Sequence, residues 1–139
     1  MSNLSFNDGY KEFTINSDES KVIRINISDV NLADRLIDFE KFLNKKSAEY
    51  SAAKDSEQSL EEIRADLSRI DRETRDELDR ILDTTAADIV FGNAHCLSPV
   101  DGQPMIKGFL TAVMNEYDKQ MKKEFKKADK YVNAAKKYK

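Results

Sequence analysis

The sequence predicts a mainly α chain of the α+β type, in which an N-terminal β-hairpin is followed by three or four amphipathic helices, the last one long. Three observations carry this. Period-two alternation of β-branched and aromatic residues is confined to residues 10–27. From Leu32 onward apolar residues recur at steps of three and four. Gly92, Pro99, Gly102 and Pro104 gather in one stretch, which separates the helical middle from a helical end. The 139 residues fit one domain, and no Pro/Gly/Ser-rich linker divides them. We therefore expect residues 1–139 to form a single domain, with a hairpin region at 1–28, a helical region at 29–83, a loop at 84–103 and a long C-terminal helix at 104–139 that ends basic.

Tyr10–Asn16 and Lys21–Ile27 read as the two strands, with Ser17-Asp18-Glu19-Ser20 as the turn. Phe13 and Ile15 alternate on one strand and Ile23, Ile25 and Ile27 on the other, which makes one face apolar. A lone two-stranded hairpin is marginal in water, so that face must rest on a helix or its edge on another chain. Ser28 or Asp29 is placed to cap a helix from about Asn31 into the Ser47–Ala53 region, with Leu32, Leu36, Phe39 and Leu43 on one face. A second helical pattern runs from Leu60 through Ile63, Leu67 and Ile70 to Leu78, Ile81 and Leu82, with a polar break at Thr74. Nothing between Lys45 and Glu57 is Gly or Pro, but the serines and the polar Lys54–Gln58 favour two helices over one. After a helical turn at Ile89-Val90-Phe91 and an ordered loop, Asp101 suits the cap and Pro104 the first turn of the last helix, which extends past Val132.

Charge is unevenly placed. The chain carries a formal charge of −3, with 35% charged and 40% apolar residues, a balance that favours long helices with wide solvated faces. Asp55–Asp83 holds eleven acids against five arginines, a net −6, and Lys119–Lys139 nine lysines against two acids, a net +7. Such asymmetry is compatible with head-to-tail pairing and with faster encounter with a charged partner. The opening MSNLSFNDGY lacks the features of a secretory signal, and no apolar run is long enough to span a membrane, so we expect a cytoplasmic site of action and no membrane contact.

The chemistry of catalysis is not gathered anywhere in the sequence. His95 and Cys96 are the only histidine and cysteine, and neighbours in sequence project in different directions, so they make neither a nucleophilic pair nor a zinc tetrahedron. Cys96 is expected to be a buried or half-buried loop thiol. Glu61, Glu62, Asp76, Glu77 and Asp79 alternate with Arg64, Arg69, Arg72, Arg75 and Arg80, the pattern of a solvated, ion-paired helix face. Four scattered glycines make no phosphate loop, so no nucleotide or other cofactor is expected. The lysines of the C-terminus, with Tyr131 and Tyr138 among them, would suit phosphates, but the acidic chain as a whole argues against nucleic acid. What remains is protein binding. The apolar stripe Phe109, Val113, Tyr117, Met121 and Phe125 is the candidate partner surface, because Met and aromatic side chains adapt to a client helix; the competing reading is that the same stripe is core.

Several segments together resemble the tail assembly chaperones encoded by long-tailed phages and prophages of Gram-positive bacteria. They are Phe6-Asn7-Asp8-Gly9-Tyr10 with the hairpin FTINSDESKVIRINISDVN, the loop from Asp88-Ile89-Val90-Phe91-Gly92 to Cys96-Leu97-Ser98-Pro99, and the Lys/Tyr-rich end; between Asn44 and Ala87 only a charged helical pattern is shared. The resemblance covers about half of the chain. It implies a non-enzymatic protein of the host cytoplasm that binds the tail tape-measure protein and keeps it soluble until tail-tube subunits polymerise around it. Two other readings fit the residues: a small phage-encoded inhibitor or adaptor that binds a host protein, and a structural tail subunit. Self-association through the hairpin edge or the opposite-sign helices is compatible with all three.

Overall fold

A computed structural model describes residues 1–137, with side chains through residue 130. Its elements are β1 (Tyr10–Ile15), β2 (Asp18–Asn26), α1 (Leu32–Lys54), α2 (Leu60–Leu82), α3 (Ala87–Phe91), β3 (Pro99–Val100), β4 (Gln103–Pro104) and α4 (Met105–Lys137). The chain is mainly helical with an N-terminal antiparallel hairpin, as the sequence predicts. Tyr131, Tyr138 and the last lysines of the basic end, and Val132 of the last helix, lie outside the described side chains.

The hairpin turns one step earlier than the polar run suggests. Asn16 and Ser17 take φ values of 50° and 62°, so Ile15 pairs with Asp18 across a two-residue loop, and Ser17–Ser20 is not the turn. Positive φ at both central residues matches the right-handed twist of the strands, and Asn tolerates it best among non-glycine residues. Glu19, Ser20 and Lys21 are then surplus to the ladder, which resumes at Thr14 opposite Val22 after a bulge. Phe13 faces Ile23 across the strands, and Ile23, Ile25 and Ile27 are buried on the inner side.

The two middle helices form an antiparallel pair, closed at each end by a polar contact. Ser56 ends α1 by donating its hydroxyl to Ala53 O, and Ser59 starts α2 by accepting the Glu62 amide. At the open end, Arg35 donates Nε to Ile81 O, one of the carbonyls left free in the last turn of α2, while its other arm reaches Asp29 at 2.8 Å. Asp29 is thus not the cap of α1; it accepts the Asn31 amide one step before the helix. Midway, the buried Lys46 ammonium joins Glu73 across the pair and Glu49 on its own helix. Thr74 does not break α2. It is fully buried, and its hydroxyl bonds back to Ile70 O at 2.7 Å, which satisfies the one polar atom it brings into the core.

The stretch after α2 is more ordered than a loop. Asp79 accepts the amides of Ala86 and Ala87 at 2.9 and 2.8 Å and so starts α3 from the side of α2. Asp101 and Gly102, both at positive φ, turn β3 into β4. Asp101 therefore serves a turn and not a cap, and Pro104 pairs with Pro99 before α4 begins at Met105. The first amides of α4 are satisfied instead by Ser98 O and Cys96 O.

One core runs through these elements: the three hairpin isoleucines, Leu32, Leu36, Phe39 and Leu43 of α1, Ile70, Leu78 and Ile81 of α2, and Ile106, Leu110 and Val113 of α4. Truncating Phe39, 1% exposed, to Ala should cost about 3–5 kcal/mol by lost burial and an unfilled cavity. Ile37→Ala, on the solvent side of the same helix, should stay within about 0.5 kcal/mol. Denaturant unfolding of the two variants measures both.

Candidate functional site

The hairpin leans over α4 without closing on it, and the gap between them is a cleft of about 700 Å³. Phe13, Ile15, Ile23 and Ile25 form one wall, Phe109, Ala112 and Val113 the other, and Val90 and Val100 the end. Phe13, Ile15, Val90 and Phe109 are half-buried, while Val100 and Ala112 are exposed, so the apolar lining is open to an occupant. Its charged lining residues are Glu116 and Lys119, and a volume within the usual 300–1,000 Å³ of binding clefts suits a few side chains of a partner.

The five stripe residues of α4 divide among three environments. Val113 and Tyr117 are buried, and the Tyr117 hydroxyl donates to Val30 O at 3.2 Å. Phe109 stands edge-on to Phe91, with ring centroids 6.0 Å apart, and presents its remaining surface to the cleft. Met121 packs partly on the core, and Phe125 is 60% exposed. The stripe is continuous in sequence but not in space, because α4 outruns the body it packs on. Phe13, Ile15, Val90 and Ala112 complete the apolar cleft. Helical spacing along one segment does not reveal them, since they come from two other elements, β1 and α3, or from the flank of the stripe.

A second constellation lies behind the cleft, at the middle of α2. Asp71, His95 and Cys96 bring ligand atoms within 4.8 Å of one another, the spacing of a metal site, and Asp71 is the member that sequence proximity does not suggest. Each is already engaged. Asp71 Oδ1 accepts the Cys96 amide at 2.9 Å and Arg75 Nε at 3.1 Å, so the oxygen that faces His95 already binds a guanidinium. His95 Nδ1 accepts the Leu97 amide, which leaves the proton on Nε2, donated to Leu67 O at 2.8 Å. Burial, reinforced by the Asp71 carboxylate, pushes the Cys96 thiol well up from its ordinary value, and the side chain is fully buried as expected. A protonated, enclosed thiol is neither a good nucleophile nor a metal ligand.

Arg75 differs from the solvated arginine that its spacing predicts. It is buried, lies beside the Phe91 ring, and divides its donors among Asp71, Asp88 and the Ala94 carbonyl. Burial pushes the Asp71 carboxyl up, but the Cys96 amide and thiol and the Arg75 guanidinium outweigh it, and the group ends below its ordinary value. Asp88 is lowered as well, chiefly by its hydrogen bond to Arg75.

Comparison with known proteins finds no matching family model, no matching curated protein and no matching solved structure. The class is thus defined by architecture alone: a hairpin-capped helical chain with an apolar cleft. Among the described residues no helix is long and apolar enough to cross a membrane.

Because Asp71 and Asp88 have depressed folded-state values, their contribution to stability is present above their unfolded pKa, near 4, and lost as pH falls below it. Asp71→Asn should cost about 2 kcal/mol at neutral pH and flatten the loss of stability below about pH 4. Urea titrations at several pH values measure both effects. Cys96 should resist a thiol reagent in the folded protein and react freely in denaturant, and Asp71→Asn should raise its labelling rate by about tenfold or more, the equivalent of at least 1.4 kcal/mol of easier opening.

Proposed function

We propose that this protein is a non-enzymatic tail assembly chaperone of the phage or prophage type, which binds the tape-measure protein in the host cytoplasm and keeps it soluble while the tail tube assembles. The observation that supports binding is the apolar cleft between the hairpin and α4, half-open and lined by Phe13, Ile15 and Phe109. The resemblance in the hairpin, the 88–99 loop and the basic end supports the choice of client. A tape-measure protein is a long helical chain whose apolar stripe lacks a partner until the tube encloses it. An amphipathic helix laid in a groove is the recognition mode that fits such a client.

A holdase must also release. A cleft of this size engages only a turn or two of a helix, so each contact is weak and several copies are needed along one client. Glu116 and Lys119 at the cleft orient a charged flank and add little affinity.

Co-expression with a tape-measure protein of a long-tailed phage or prophage that carries this gene tests the reading. Wild-type protein should hold that chain in the soluble fraction and be recovered with it. Ala112→Arg places a cation in the cleft at an exposed position, so it should leave the fold intact and weaken capture at least about tenfold, or 1.4 kcal/mol. An insoluble client beside folded wild-type protein would overturn the proposal. Recovery of the protein in finished particles would favour a structural tail subunit.

A further inference from the structure

The segment ahead of the hairpin carries apolar side chains that no described residue covers. Residues 1–8 are exposed, Leu4 at 90% and Phe6 at 81%. Their polar neighbours bond within the segment or to its base: Asn3 Nδ2 donates to Ser5 Oγ, and Asn7 Oδ1 accepts the Gly9 amide. From Ser2 to Asn7 no side chain is charged, and one serine separates Leu4 from Phe6, so an extended chain turns both to the same face. Covering that face is favourable and desolvates no charge.

This arm leaves the body at one end of the apolar cleft. It is tied down at Asp8, whose carbonyl accepts Asn26 Nδ2 at 3.1 Å and whose carboxylate stands 3.6 Å from Arg24. Gly9 follows at φ 86°, where a Cβ would come within 2.7 Å of Asn26 Oδ1 and 3.0 Å of Ser28 Cβ, a conformation and a closeness that suit glycine. Ser28 Oγ in turn accepts Gln120 Nε2 at 3.3 Å, and the chain neighbours of that pair, Ile27 and Lys119, both line the cleft. Extended chain places Phe6 about 10 Å and Leu4 about 17 Å from Gly9. From Lys119 back to Phe109, α4 runs about 15 Å, so Leu4 reaches the Phe109 end. Side chains two apart on an extended chain are separated by about 7 Å, close to the step of about 6 Å from Phe109 to Val113.

We propose that residues 2–7 fold back into the cleft of their own molecule as a strap, with Phe6 near Ala112 and Leu4 near Phe109, and that they compete there with a client. The arm lies open in the structure. Burying two apolar side chains is set against ordering six residues, and these opposing terms are of similar size, so open and strapped states exchange. The strap shields the apolar lining while no client is bound, and it weakens the apparent affinity for a client in proportion to the fraction of molecules it closes. The competing client is the one proposed above, whereas docking of the arm depends on the arm and the cleft alone.

The chain contains no tryptophan, so Phe6→Trp in the full chain is a unique reporter at an exposed position. Its fluorescence should be blue-shifted from that of an indole in water, and acrylamide should quench it at least about twofold more slowly than in a second variant that adds Ala112→Arg. Both effects should be independent of protein concentration. A soluble tape-measure fragment should release the indole, and Leu4→Ser with Phe6→Ser should tighten capture of that fragment about twofold or more. An indole as exposed with Phe6→Trp alone as with Ala112→Arg added would overturn the strap. So would protection that grows with protein concentration, which reports the cleft of a second copy, or a captured fragment that the serine variant holds no more tightly. A docked indole beside a fragment that is never captured would support the strap and remove the client assigned to the cleft.

Discussion

Most of the architecture depends on one buried cation. Arg75 enters the interior from the middle of α2 and is neutralised by Asp71 on its own helix and Asp88 on α3, with the Ala94 carbonyl completing its shell. A guanidinium removed from water at such cost persists only where every donor finds a partner. Here the partners are the pieces of chain that need fixing. Asp71 in turn holds the Cys96 amide, and Cys96 and Ser98 supply the carbonyls that start α4. The direction of the longest helix, and hence the width of the cleft beneath the hairpin, descends from this knot.

The knot also explains why the 92–98 segment can be irregular and still precise. Its backbone groups are satisfied by side chains of α2 and by the imidazole of His95, which spans from the Leu97 amide to the Leu67 carbonyl with the Tyr50 ring against it. Buried polar networks specify one arrangement when all members are satisfied. The histidine and cysteine are thus adjacent for structural reasons: one ties the segment to α2 from outside, while the other fills the core behind it.

Much of this was legible in the sequence wherever a single periodicity decided the matter. The strands, both middle helices, the short turn before Gly92 and the long last helix follow from steps of two or of three and four. The failures have a common physical form. Thr74 reads as a polar interruption because spacing does not reveal that a hydroxyl can satisfy itself on the carbonyl four residues back. Arg75 reads as one of several surface arginines because its partners Asp88 and Ala94 lie 13 and 19 residues away and meet it only in the fold. The turn at Asn16-Ser17 was signalled by Asn16 alone, and a longer polar run beside it drew the boundary too late. The candidate stripe on α4 was one helix face, yet the cleft is a surface shared by the hairpin, α3 and α4.

α4 belongs to two thermodynamic regimes. Up to Tyr117 each turn shares the cooperative stability of the core, so its amides open only when the whole molecule does. From Lys122 to Lys130 every side chain is in water, and the helix is held by its own hydrogen bonds alone, close to the length at which an isolated helix is marginal. Anything that grips this stretch also gains by winding it tighter, and that gain is small and temperature-dependent. Warming would therefore weaken the grip of the projecting half well before it loosens the body, so the molecule would shed its attachments while remaining folded.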